Sequence, residues 1–181
     1  SMRCAFGFTG FLARFAAELT YEDIPERVRE YTKDLLLDAL ACALAGHRGE
    51  DTPKVMRFAA ALGHSQESSI VGGGSLSLTG ATVCNGFLIT AVSMCDVYRP
   101  TATHFQPVIV PPALAIAERD EASGRDLLVA LVAGFEAAAR VAASMGVAEH
   151  VVVSAFRQDD DTTVTVVGSR PAGRVSMSAA A

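Results

Sequence analysis

The chain predicts an all-α domain, a helical bundle, on three observations. Half of its residues are hydrophobic but only 7% are aromatic and Trp is absent, a mixture that suits helix packing and lacks the β-branched and aromatic supply of a β-sandwich. Apolar residues recur at helical spacing in six successive segments. Between them stand Pro, Gly and small hydroxyl residues where helices start and stop. A chain of 181 residues can bury one ordinary core, and a second full domain is not expected. The expected division is a helical domain over 9–146 and a divergent tail over 147–181.

Each segment carries its own punctuation. The first helix opens with Thr9 as N-cap and lines up Phe11, Leu12, Phe15, Ala16 and Leu19 on one face. The second places Pro25 at its first position and Glu26 in the positive first turn, and stops at Gly46. Its apolar positions run from Val28 through Leu35 and Leu36 to Ala43 and close over nearly every side, which predicts a buried end. The third takes Thr52 as cap, Pro53 in the first turn and Gly63 as stop. Residues 68–78 are too short and glycine-rich for a helix and predict a small hairpin turning at Gly72-Gly73-Gly74. That glycine run lacks the Lys-Ser/Thr of a P-loop and the spacing of a dinucleotide fingerprint.

Thr79 opens the fourth helix, "TGATVCNGFLITAVSMCD". A polar connection follows, then the helix "PPALAIAERDEA". The sixth helix begins after Ser123, with Asp126 placed to complete a capping box. Ala130, Ala137, Ala138 and Ala142 on it would let a neighbour approach closely. Beyond 147 the helical period ends. "EHVVVSAF" fits an edge strand, and the rest predicts an irregular or extended tail.

Composition excludes several function classes. A net charge of −5 with dispersed basic residues argues against nucleic acid, whose binders carry a basic stripe. Cys4, Cys42, Cys84 and Cys95 form no CxxC pair and three lie in apolar patterns, so no disulfide framework and no metal site is expected. The longest apolar run, Leu127 to Phe135, is shorter than the ~20 residues of a membrane span, so no membrane partner is expected. No signal peptide is visible, which makes the cytoplasm the expected compartment.

The polar connection is the part of the chain that packing does not explain. Asp96, Tyr98, Arg99, Thr101, Thr103 and His104 fall within nine residues, just ahead of Pro107, Pro111 and Pro112. Read as a helix end, Asp96 opposes the negative pole of the helix and needs a partner, Arg99 or His104. His104 can exchange a proton near neutral pH. Arg99 can grip a carboxylate in bidentate fashion, and Tyr98 and Thr103 can add hydrogen bonds. A salt-linked solvated loop and the wall of a site both fit these residues. Cys95 has no adjacent base in the sequence to make it a nucleophile.

"LLLDALACALAG", "NGFLITAVSMCD", the His-bearing loop and "VPPALAIAE" followed by "SGRDLLVALVAGFEAAARV" together resemble the amino-terminal part of the MmgE/PrpD family, over about 9–145. That family includes 2-methylcitrate dehydratase, cis-aconitate decarboxylase and iminodisuccinate epimerase. The resemblance implies a helical first domain, a smaller α+β domain after it, dimerisation, and no metal or organic cofactor. It also implies proton transfer at a carbon beside a carboxylate while water or carbon dioxide leaves, with small di- or tricarboxylates as ligands. Asp96 and His104 match the family's catalytic loop, with Arg99, Tyr98 and Thr103 as substrate-binding candidates. Ser93 stands where the family's loop begins with Asp, Val97 where it has a hydroxyl residue, and Phe105 where a Pro follows the His. Family enzymes are longer and draw a further His and a Lys from sequence beyond this chain. Two functions follow as expectations. One is a truncated or split member, derived from a lyase or epimerase, with little activity as this chain alone. The other is a non-catalytic helical oligomerisation module. Either is expected to form a homodimer through the Ala-rich helices around 107–145.

Overall fold

The computed structural model describes residues 8–144, 152–158, 161–167 and 175–178. Six α-helices lie among them: α1 (Phe8–Glu18), α2 (Glu26–Gly46), α3 (Thr52–Ala60), α4 (Leu78–Thr90), α5 (Gln106–Arg119) and α6 (Gly124–Ser144). Strands β1 (Ser68–Ser69) and β2 (Ser75–Leu76) pair antiparallel, Ser68 opposite Leu76 and Ser69 opposite Ser75. The hairpin turns where Gly72, Gly73 and Gly74 take φ of 99°, 128° and 89°, a region open to glycine. In the tail, β3 (Val152–Gln158), β4 (Asp161–Val167) and β5 (Val175–Ser178) form an antiparallel sheet with β4 in the middle. The helical class and the hairpin match the sequence expectation, and β3 lies at a sheet edge, whereas β4 and β5 fall in residues expected to be irregular or extended.

By contacts the chain divides into two units, Ser1–Asp96 with His104–Ala137, and Val97–Thr103 with Ala138–Ala181. In the first unit α4 is the central element, touching α2, α3, α5 and both hairpin strands. It buries Gly80, Ala81, Cys84, Asn85, Leu88 and Ile89, so its apolar surface runs around the helix as expected of a core helix. Ala39, Cys42 and Ala43 of α2, Ala59 of α3, Ile70, Val110 of α5 and Leu131 of α6 complete the core. By length and composition α6 could cross a membrane, a property its interrupted apolar run does not announce. Its Leu128, Leu131, Val132 and Ala133 are buried, and 22% of its apolar window lies inside the structure.

Several helix starts sit one or two residues from where the sequence put them. Ser77, not Thr79, caps α4 by accepting from Gly80 N at 3.2 Å. Thr9 lies inside α1, and Pro25 is the N-cap of α2 and not its first helical residue. Thr52 opens α3, but its hydroxyl donates to Gly46 O at 2.7 Å and so closes the α2–α3 turn. The Ser123–Asp126 capping box forms as expected, with Ser123 N donating to Asp126 at 3.0 Å and Asp126 N to Ser123 Oγ at 3.2 Å. At the α1–α2 link, Arg29 and Arg125 both stack on the Tyr21 ring, 4.7 and 4.5 Å from its centre, which fixes the start of α6 against that link.

The largest difference concerns α5. It starts at Gln106, so Pro111 and Pro112 lie inside it. Pro111 has no N–H, so the Pro107 carbonyl lacks its intrahelical donor. That carbonyl instead sits on α4, where a Cβ added to Gly86 would stand 2.9 Å from it. Asn85, next to Gly86, is buried and accepts from Val71 N at 2.9 Å while donating to Ser69 O at 2.9 Å. It thereby stands in for a strand partner and fixes the hairpin to α4. His47, which follows Gly46 at the end of α2, binds Val71 O through Nε2 at 2.6 Å.

At Gly46 an added Cβ would lie 2.0 Å from the Leu88 carbonyl of α4, a backbone atom that cannot swing away. Gly46→Ala is therefore expected to cost about 2–3 kcal/mol through forced separation of the helices. Gly124→Ala, whose Cβ would meet nothing, should be neutral or stabilising by up to ~1 kcal/mol. Urea denaturation midpoints compare the two, and equal effects would refute the close-packing account.

Candidate active site

The site is built where the chain returns from α4 to α5. α4 ends at Thr90, and Ser93 takes a left-handed φ of 53° in the turn that follows. Cys95 is then buried into the core cluster, which fixes the position of its neighbour Asp96. Asp96 therefore does not end a helix, contrary to the sequence reading. Its carboxylate accepts from Gln106 N at 3.0 Å and Phe105 N at 3.3 Å. It sits at the positive end of α5 and caps that helix from ten residues upstream. Among the described residues no ion pair involves Asp96, so neither Arg99 nor His104 serves as the salt partner that reading required.

Gln106 completes the arrangement and is a residue the sequence reading passed over. It is fully buried. Its Nε2 donates to Leu35 O at 3.0 Å and to Asp38 Oδ2 at 2.9 Å, both on α2. Its Oε1 accepts from Asp96 N at 3.2 Å. One side chain thus ties α2 to the loop and to the head of α5, with every polar atom engaged. A Gln between a buried Phe and a Pro at a helix start was the only local sign.

His104 is exposed. Its Nδ1 lies against the main-chain oxygen of Asp96 and 3.5 Å from Cys95 Sγ. A ring nitrogen facing a carbonyl carries the proton, which leaves Nε2 as the basic atom. Asp96 and His104 therefore meet through the backbone of Asp96 and not through the carboxylate that the sequence reading paired with the ring. The other candidates belong to the segment Val97–Thr103. There Tyr98 and Thr103 face each other in a bridge, Tyr98 N donating to Thr103 O at 2.8 Å. The Thr103 hydroxyl donates to Thr101 O at 3.0 Å, and Arg99 is exposed in a single 3₁₀ turn. Two clefts, of about 400 and 610 Å³, are lined by α2 residues and by residues of α1, α6 and the turn before α2; neither includes Asp96 or His104.

The thiols beside the site are held protonated. Burial first, then the Asp96 carboxylate, pushes the Cys95 thiol up. Burial and then Asp38 and Asp96 do the same for Cys42, and burial alone for Cys84. Cys95 is thus not an activated nucleophile, as its lack of a neighbouring base in the sequence implied. A thiol whose pKa is raised in the folded state contributes stability that is complete below its unfolded pKa of ~8.5 and is lost as pH rises towards the folded value. Denaturant midpoints should therefore fall between pH 7 and alkaline pH, and fall less in Cys42→Ala and Cys84→Ala. A flat profile up to alkaline pH would contradict these directions.

Comparison with known proteins places this geometry in a family. The MmgE/PrpD N-terminal domain matches residues 11–172, running past 146 into the tail. The cis-aconitate decarboxylase-like protein oryM of Aspergillus oryzae is 33% identical over 148 residues, covering 76% of this chain and 30% of that protein. The cis-aconitate decarboxylase of Aspergillus terreus is 28% identical over 141 residues, covering 75% of this chain and 29% of its own length. The chain therefore spans about 30% of the length of the curated relatives it matches. No solved structure matches it.

Proposed function

The chain belongs to the MmgE/PrpD family, and on that premise we propose that it is the carboxylate-binding helical part of a cofactor-independent lyase or epimerase acting on small di- or tricarboxylates. Its relatives include proteins named as a cis-aconitate decarboxylase and a cis-aconitate decarboxylase-like protein, which supports a decarboxylase over a dehydratase or an epimerase. The observation that carries the reading is the exposed His104 ring, oriented through Nδ1 by the Asp96 carbonyl. That contact selects the tautomer whose free Nε2 can take a proton from the carbon beside a substrate carboxylate. Asp96 acts as a positioning residue, holding both its own carbonyl and the head of α5. Arg99 is the proposed carboxylate anchor, with Tyr98 and Thr103 as further polar contacts.

Ser93 occupies the position at which the family resemblance has a leading Asp, and the relatives are more than three times as long as the matched segment. Weak binding without turnover is the expected behaviour of this chain by itself. Titration with cis-aconitate and citrate should shift the His104 ring resonances with millimolar affinity, on the order of 4 kcal/mol, and His104→Ala should abolish those signals without unfolding the protein. Ring resonances that stay fixed at high ligand concentration would remove His104 from the site.

A second reading, a helical association module, is favoured by one observation. Leu37 and Leu44, seven residues apart on one face of α2, are 67% and 55% exposed, and Phe58 on α3 is 60% exposed. Association through this surface, in place of the Ala-rich helices, predicts a concentration-dependent dimer in sedimentation that Leu37→Asp with Leu44→Asp converts to monomer. Persistence of the dimer in that variant would exclude α2 as the interface.

A further inference from the structure

We propose that Cys95, Asp96 and His104 form a three-ligand site for a borderline divalent cation of the zinc class. A thiol, a carboxylate oxygen and a ring nitrogen from these residues all lie within 4.8 Å of one another. The Cys95 Sγ to His104 Nδ1 distance is 3.5 Å. Two tetrahedral zinc ligands with bonds of ~2.3 Å to sulfur and ~2.05 Å to nitrogen stand ~3.6 Å apart. The spacing of this pair is therefore already that of a bound cation.

The fold holds each donor in place. Cys95 is anchored in the core. The Asp96 carboxylate is held by Gln106 N and Phe105 N, and each of its oxygens keeps a second lone pair for a metal. Among the described residues no ion pair neutralises that carboxylate. Mixed sulfur, nitrogen and oxygen donors suit zinc, and magnesium or calcium would prefer an all-oxygen set. Because His104 is exposed, the fourth position opens to water, the arrangement of a site that can exchange ligands.

Binding balances as follows. The Cys95 S–H bond breaks, its proton passes to solvent and an S–metal bond forms. Nδ1 of His104 gives up its contact with the Asp96 carbonyl and binds the cation, while the ring proton moves to Nε2 and is solvated. The carboxylate draws in by about 1 Å from the widest separation to reach bonding distance. The inference does not rest on the carboxylate-substrate reading. The two compete for the same ring, so a metal-loaded chain should lose the carboxylate-induced shifts.

Cobalt(II) titration of the full chain, with no carboxylate present, is the test. One equivalent should give a thiolate-to-cobalt charge-transfer band and tetrahedral d–d bands, displaced by one equivalent of zinc(II). Cys95→Ser should abolish the charge-transfer band, whereas Cys42→Ser and Cys84→Ser should retain it. His104→Gln, at an exposed position that leaves the core intact, should weaken binding by roughly tenfold or more. Circular dichroism establishes that each variant is folded. A folded wild-type chain without the charge-transfer band, or a band that survives Cys95→Ser or is indifferent to His104→Gln, would overturn the proposal.

Discussion

The contact on which the rest of the structure depends is the one between α4 and α5 at Gly86 and Pro107. A proline at 111 strips the Pro107 carbonyl of its intrahelical donor, and that carbonyl comes to rest on a stretch of α4 with no side chain to hold it off. A backbone oxygen close to a glycine Cα gains a weak C–H···O contact and lets two helices pack nearer than larger residues allow. The first turn of α5 is thereby fixed, and with it the N–H groups of Phe105 and Gln106 that meet Asp96. The same stretch of α4 holds the hairpin through Asn85, so one short motif serves two neighbours.

From that contact the site follows with few free choices. Gln106 sits one residue before the fixed proline and is wholly buried, so its amide must find partners, which α2 and the loop supply. Leaving any of them unpaired would cost about 1–3 kcal/mol. The consequence is a loop whose polar residues have divided duties. Asp96 and Gln106 face inward and hold the frame, Thr101 and Thr103 stabilise their own turn, and His104 is left at the surface on an oriented ring. The polar density that marks this stretch in the sequence is therefore in part structural.

The helical class, the hairpin and the capping box at Ser123 were legible from residue type and spacing. Each is signalled locally, by a period, a glycine run or a short-range hydrogen bond. What was not legible depends on contacts between distant residues. The prolines at 111 and 112 read as a helix start because an interior proline is costly in isolation; only the neighbouring α4 makes it tolerable. Asp96 read as the end of one helix, when it caps the start of the next. Gln106 gave almost no signal, since its partners Leu35 and Asp38 are about seventy residues away in sequence. His47 gave no signal either, since its partner is the Val71 carbonyl of the hairpin.

The inward duty of Asp96 has a consequence for genetics. In any selection for activity, substitutions at this position would score as losses because the head of α5 comes undone, whether or not the carboxylate ever meets a substrate. Its essentiality in such a screen would report on architecture. Exposed His104, which caps nothing and fills no core, is the position whose failure would speak for chemistry.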